Sequence, residues 1–149
     1  MTLWKLLHVA SVGLFFGAQA VMFALHRRAM AAGGSNRRAL AETNAWAARV
    51  VVMPVMYLAY FSGLGYFAAN LELFKSAPYV HDMLLWATFA VGFAQMWKAR
   101  ARKAALALSE GDEAGAAAHF AKGRFFVIAG LVLSFLAYVS AISKASFHP

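Results

Sequence analysis

The chain is 149 residues long, 62% hydrophobic and only 13% charged, whereas a soluble domain is close to half apolar and a quarter charged; this is the composition of a membrane protein. Cysteine is absent, which excludes disulfides, thiolate metal sites and iron–sulfur clusters. The net charge of +8 points either to nucleic acid or to membrane topology, and its distribution along the chain decides between them.

Four segments are expected to span a membrane: Leu6–Leu25, Val50–Ala69, Tyr79–Trp97 and Phe125–Ser143. Each supplies the roughly 20 residues that about 30 Å of hydrocarbon requires at about 1.5 Å per helical residue. The first also has the look of a signal peptide, since Lys5 precedes the apolar run and Ala18-Gln19-Ala20 resembles a cleavage site. A second basic cluster follows it, so we read it as a retained helix. After the turn AAGGSN (31–36), Arg37–Trp46 is expected to begin the second helix before it enters lipid, and Pro54 to kink it. Gly13 and Gly17, and again Gly63 and Gly65, are expected to allow close helix contact. The turn LSEGDEAG (108–115) separates Ala-rich stretches that extend the third and fourth helices out of the membrane. The expected fold is all-α, a single domain (1–149) forming an integral membrane four-helix bundle.

Charge orients that bundle. The Leu25–Val50 connection carries Arg27, Arg28, Arg37, Arg38 and Arg49 against Glu42 alone. The Trp97–Phe125 connection carries Lys98, Arg100, Arg102, Lys103, Lys122 and Arg124 against Glu110, Asp112 and Glu113. Only Lys5, Lys75 and Lys144 fall on the other side, so eleven of the fourteen basic residues share one side. The positive-inside rule makes that side cytoplasmic and both termini, Met1 and Pro149, periplasmic. The expected localisation is the bacterial inner membrane, multi-pass. The basic excess is topology, and nucleic acid is not an expected partner.

Polar residues inside such segments need a use or a partner. With about 3.6 residues per turn, His8, Phe15, Gln19, Met22 and His26 fall on one stripe, and His81, Thr88, Gly92 and Gln95 share a face of the third segment. Both stripes are expected to point into the bundle. The first and third segments run in the same direction, which places His8 and His81 at similar depth near the outer surface. One imidazole from each of two helices is what a six-coordinate b-type haem requires. Lys5, one turn from His8, would pair with a propionate. Gly13, Gly17 and Gly92 would make room for the ring, and Trp4, Phe15, Phe16 and Trp86 would wall it. Two other readings of His8 and His81 stay open: a structural or proton-handling pair, and a copper site drawing on the run HDM (81–83), because imidazole and thioether suit copper. Met22, Met30, Met53, Met56 and Met96 form no motif and read as packing residues.

His26 and His119 lie beside arginines and Ala-rich sequence and are expected to be solvated, with no second haem between them. His148 is a tail residue, Arg49 is expected to snorkel, and Asp82 to cap the third helix or orient an imidazole. Tyr57, Tyr60 and Tyr66 read as packing or interface aromatics. No Ser-His-Asp set, phosphate loop, metalloprotease motif or pair of intramembrane acids is present, so hydrolase and ATPase chemistry has no starting residue.

At Lys5-x-x-His8, with Gly17 nine residues on, then Pro54 and Gly63-x-Gly65, the chain resembles a loose superfamily of small bacterial membrane proteins. It includes HemJ-type protoporphyrinogen oxidases, copper-resistance D proteins and, most similar, a four-helix family of integral membrane proteins with no assigned function. The resemblance to the HemJ type implies a four-helix fold with a haem ligand at the first-helix histidine, here His8. Where that type has an arginine within the first helix, this chain has Ala20, Val21, Met22 and Phe23; where it has a lysine early in the third helix, this chain reads VHDML. The resemblance therefore implies a haem pocket more than protoporphyrinogen oxidation.

The expected function is that of an inner-membrane protein binding one b-type haem at His8 and His81, in electron transfer or haem-dependent oxidoreduction. The alternatives are a copper-handling membrane protein and a cofactor-free accessory subunit whose polar stripes glue helices together. Beyond the lipid bilayer, the expected partners are a redox protein, the subunits of a membrane complex or a second copy of the chain.

Overall fold

In a computed structural model, residues 3–76 and 78–145 are described; Met1, His148 and Pro149, with the location assigned to both termini, lie outside them. Every described element is helical: α1 (Leu3–Ala31), α2 (Gly34–Ala47), a π-helical turn (Ala48–Val52), α3 (Met53–Ala68), a short α4 (Leu71–Ser76), α5 (Pro78–Ser109) and α6 (Glu113–Ala145). The ends follow local chemistry. Gly34 and Gly111 take positive φ, 54° and 79°, which a residue with a Cβ adopts only with strain. Asp112 accepts a hydrogen bond from the Gly115 N–H at 2.8 Å and caps α6.

α2, the π turn and α3 form one rod of 35 residues, Gly34–Ala68. Pro54 has no N–H and its ring crowds the carbonyl a turn earlier. The widened turn immediately before it carries the rod past this point, where the sequence predicts a kink.

Three helical stretches among the described residues are long and apolar enough to cross a membrane: Leu3–Ala31, Gly34–Ala68 and Glu113–Ser140. α5, expected to be a fourth, is long enough at 32 residues, but His81, Asp82 and Gln95 interrupt its apolar sequence. Large apolar side chains cover the outside of the bundle, among them Leu14, Phe61 and Phe125, each more than 60% exposed.

Neighbouring long helices are antiparallel. Trp4 packs over Gly65 and His8 over Gly63, Phe93 meets Phe126, and Phe16 meets Tyr138. Two tight pairs result, α1 with α3 and α5 with α6, while α1–α6 and α3–α5 touch only sparingly. α2 bridges α1 and α5 at the end of the bundle that carries the arginines, hereafter the basic end. Alanines make that junction close: Ala29, Ala41, Ala104, Ala107 and Ala116 pack with Phe120. A second core of Phe15, Met22, Val52, Met53, Met56 and Trp97 lies in mid-bundle. Of the expected small-residue contacts, Gly63 and Gly65 pack tightly, whereas a Cβ at Gly13 or Gly17 would meet nothing within 4 Å.

Candidate functional site

The first-segment stripe folds as expected. Ser11, Phe15, Gln19, Met22, His26 and Ala29 are the buried residues of α1, and His8 is half-buried one turn before them. His8 Nδ1 lies 2.9 Å from the Ala59 carbonyl oxygen. A carbonyl only accepts, so Nδ1 carries the hydrogen, and the tautomer with its lone pair on Nε2 is the one that could ligate. Ser62 Oγ supports the arrangement, donating to the same carbonyl at 3.1 Å and lying 3.4 Å from His8 Nδ1. Gly63 permits it: a Cβ there would fall 2.8 Å from His8 Cε1.

His8 lines a cavity of about 130 Å³ between the two helix pairs. The other walls are apolar: Phe15 and Phe16 from α1, Met56 and Phe67 from α3, Met83, Ala87 and Ala90 from α5, with Ser134 and Tyr138 from α6. Ser134 turns its hydroxyl away, donating to the Gly130 carbonyl at 2.8 Å.

His81 is exposed and does not belong to this lining. The inward face of α5 runs through Val80, Ala90, Ala94, Trp97, Ala101 and Ala104, so the stripe expected to point inward, His81, Thr88 and Gly92, faces out instead. Its polar groups serve the loose α3–α5 seam: Thr88 Oγ1 meets Tyr60 Oη at 3.1 Å, and Gln95 hydrogen-bonds the Tyr57 hydroxyl. Those contacts, with Phe67 packed on Val80, set His81 about one turn nearer the chain termini than His8. Lys5 and Asp82 are exposed. Trp86 is half-buried outside the lining, and a Cβ at Gly92 would meet nothing within 4 Å. From the HDM run, only Met83 reaches the cavity. Among the described residues, no group of three His, Asp or Glu side chains is placed to hold a metal ion.

His26, expected to be solvated, is instead buried at 1% exposure. The reason is that α1 continues well beyond Leu25, to Ala31, and keeps the same face inward. His26 Nε2–H donates to the Phe120 carbonyl at 3.1 Å, edge-on to the Phe120 ring, leaving Nδ1 buried without a partner. Gln19 Oε1, Trp97 Nε1 and both amide atoms of Asn44 share that condition. The stripe periodicity already carried the signal for His26; nothing in the sequence marked Asn44. His119 is half-buried, its Nδ1 accepting from Arg100 Nη1 at 3.3 Å.

No protein-family model, curated protein or solved structure matches the chain. An imidazole whose Nδ1–H is held by a backbone carbonyl presents Nε2 as a fixed base, the arrangement typical of a metal-ligating histidine. The cavity around it is lined mostly by apolar side chains. At about 130 Å³ it is smaller than the roughly 300–1,000 Å³ of sites for drug-sized ligands. A volume of that order is comparable to a single aromatic ring, so a macrocycle would need the helix pairs to separate further.

Proposed function

We propose that the protein is a multi-pass protein of the bacterial inner membrane, both termini periplasmic, that binds one b-type haem through His8 and acts in electron transfer or haem-dependent oxidoreduction. The observation that carries this reading is the His8–Ala59 hydrogen bond, 2.9 Å long, which holds the ring of a histidine that lines an apolar slot between helix pairs. The resemblance to HemJ-type proteins supports the same residue. Bound haem would supply one-electron redox chemistry. The Ala59 carbonyl would hold the ligand's tautomer, and Phe15, Phe16 and Phe67 would keep water from the ring. Met83, which also lines the slot, would be the candidate second ligand; His81 lies outside that lining. The basic asymmetry supports the topology, and a reporter fused after Pro149 that reads cytoplasmic would overturn it.

The test is the absorption spectrum of detergent-purified protein expressed with haem supplied. A Soret band is expected, lost in His8→Ala and retained in His26→Ala. A Met83→Leu variant is expected to turn a low-spin spectrum high-spin, whereas His81→Ala is not. A second reading rests on the cavity volume: a quinol or other phenolic ring, its hydroxyl donating to His8 Nε2 and its tail leaving through a seam. Colourless protein from which solvent extracts a lipophilic quinone in His8-dependent amount would favour it over haem.

A further inference from the structure

We propose that the basic end of the α1–α6 seam holds one anionic phospholipid, its phosphate between Arg27 and Arg124. The two arginines are set level by a packed contact beside them: His26 bonds the Phe120 carbonyl and sits against Gly123, whose Cβ would lie 3.1 Å from His26 Cε1. Arg27 follows His26 on α1 and Arg124 follows Gly123 on the antiparallel α6, so the two residues flank the seam within about 3 Å of the same depth, and both line one groove. A groove of about 530 Å³ opens there, lined by Phe23, Arg27, Met30, Ala31, Arg124 and Ile128. Its charge is of one sign, for none of these residues is acidic. The ion pairs found among the described residues are Arg37–Glu113, Arg38–Glu42 and Lys75–Glu72, and neither Arg27 nor Arg124 takes part in them.

The order of side chains along the groove matches an amphiphile. Phe23 and Ile128 lie toward mid-bundle, one turn beyond the arginines, and make an apolar wall for an acyl chain. A guanidinium donates in-plane pairs of hydrogen bonds to phosphate oxygens, which suits it to a headgroup more than a lysine would be. Phosphate flanked by an acyl chain, at the depth where the helices leave the hydrocarbon, is the chemistry of a phospholipid and not of a free anion.

This inference rests on the reading that the helices cross a membrane. Native mass spectrometry of the protein released from nanodiscs of mixed phosphatidylglycerol and phosphatidylcholine tests it. Wild-type protein is expected to keep one phosphatidylglycerol in preference to phosphatidylcholine. The Arg27→Gln/Arg124→Gln double variant should lose that preference by roughly thirtyfold, since each basic residue near a lipid surface contributes about 1 kcal/mol. A control of equal charge change on α5, Arg102→Gln/Lys103→Gln, should keep it. Equal retention of the two lipids by wild type, or an equal loss in the control, overturns the site. Failure of the protein to enter nanodiscs at all overturns the membrane reading with it.

Discussion

Gly63→Ala tests the arrangement of His8 most directly. The added Cβ falls 2.8 Å from His8 Cε1 and 3.1 Å from Nδ1, where unstrained heavy atoms stay about 3.5–4.0 Å apart. The ring must retreat by about 0.7 Å or more, or α1 must lift from α3. Either movement stretches the 2.9 Å bond to Ala59 toward the limit of hydrogen bonding. Overpacking a tight contact costs about 1–3 kcal/mol and the hydrogen bond about 0.5–1.5 kcal/mol, offset by about 1 kcal/mol from alanine's better helix propensity. The net expectation is a loss of about 1–3 kcal/mol, lowering Tm by several degrees in a chain of this size. Gly17→Ala is the matched control, because its Cβ meets nothing within 4 Å, and it should gain up to about 1 kcal/mol. Thermal denaturation in detergent, followed by circular dichroism, reads both. A Gly63→Ala protein as stable as Gly17→Ala would show that His8 is not clamped against α3, and the argument for a fixed Nε2 would go with it.

Other substitutions probe the rest of the bundle. Asn44 buries both amide atoms without partners, so Asn44→Leu should hold or raise stability by about 1 kcal/mol, read as melting temperature; a marked loss would mean the amide has partners. Arg37 ties α2 to α6 through Glu113 at 2.7 Å and covers the Phe120 ring at 5.5 Å, so Arg37→Met should cost about 1 kcal/mol, partly screened by salt. Gly123→Val crowds His26 from α6, where even a Cβ lies 3.1 Å from Cε1. It should lower the melting temperature and release phosphatidylglycerol together; loss of stability with lipid retained would separate the two sites.

The first segment was legible because its background is uniform. Among apolar neighbours, Gln19 and His26 could share a face only with Phe15 and Met22, and that face is the buried one. The helix ends were legible too, from Gly33-Gly34 and from Gly111-Asp112. In the third segment polarity does not mark the interior. Its buried face is built of alanine and valine with Trp97, residues that let α6 approach closely, and its Thr88 and Gln95 turn to the tyrosines of α3. Depth failed for a related reason. Counting turns from the start of each span sets two helices level only if they start level, and α5 begins nearer the terminal end than α1's pairing with α3 implies.

The π turn explains why a cavity forms at His8 and not elsewhere. Before it, α2 wedges between α1 and α5 and closes the basic end; after it, α3 keeps α1 and nearly releases α5. One extra residue in a turn rotates everything beyond it by about 100° about the helix axis. The face that gripped α5 is thereby carried round, and Tyr57 and Tyr60 are left to span the gap with their hydroxyls. With α5 held mainly by α6, the two pairs meet through the Tyr57 and Tyr60 contacts and the Phe67–Val80 cluster, and the slot lies between them. The π turn ends at Val52, two residues before Pro54, so the proline sits where the rod passes from the α2 junction to the α1–α3 pair.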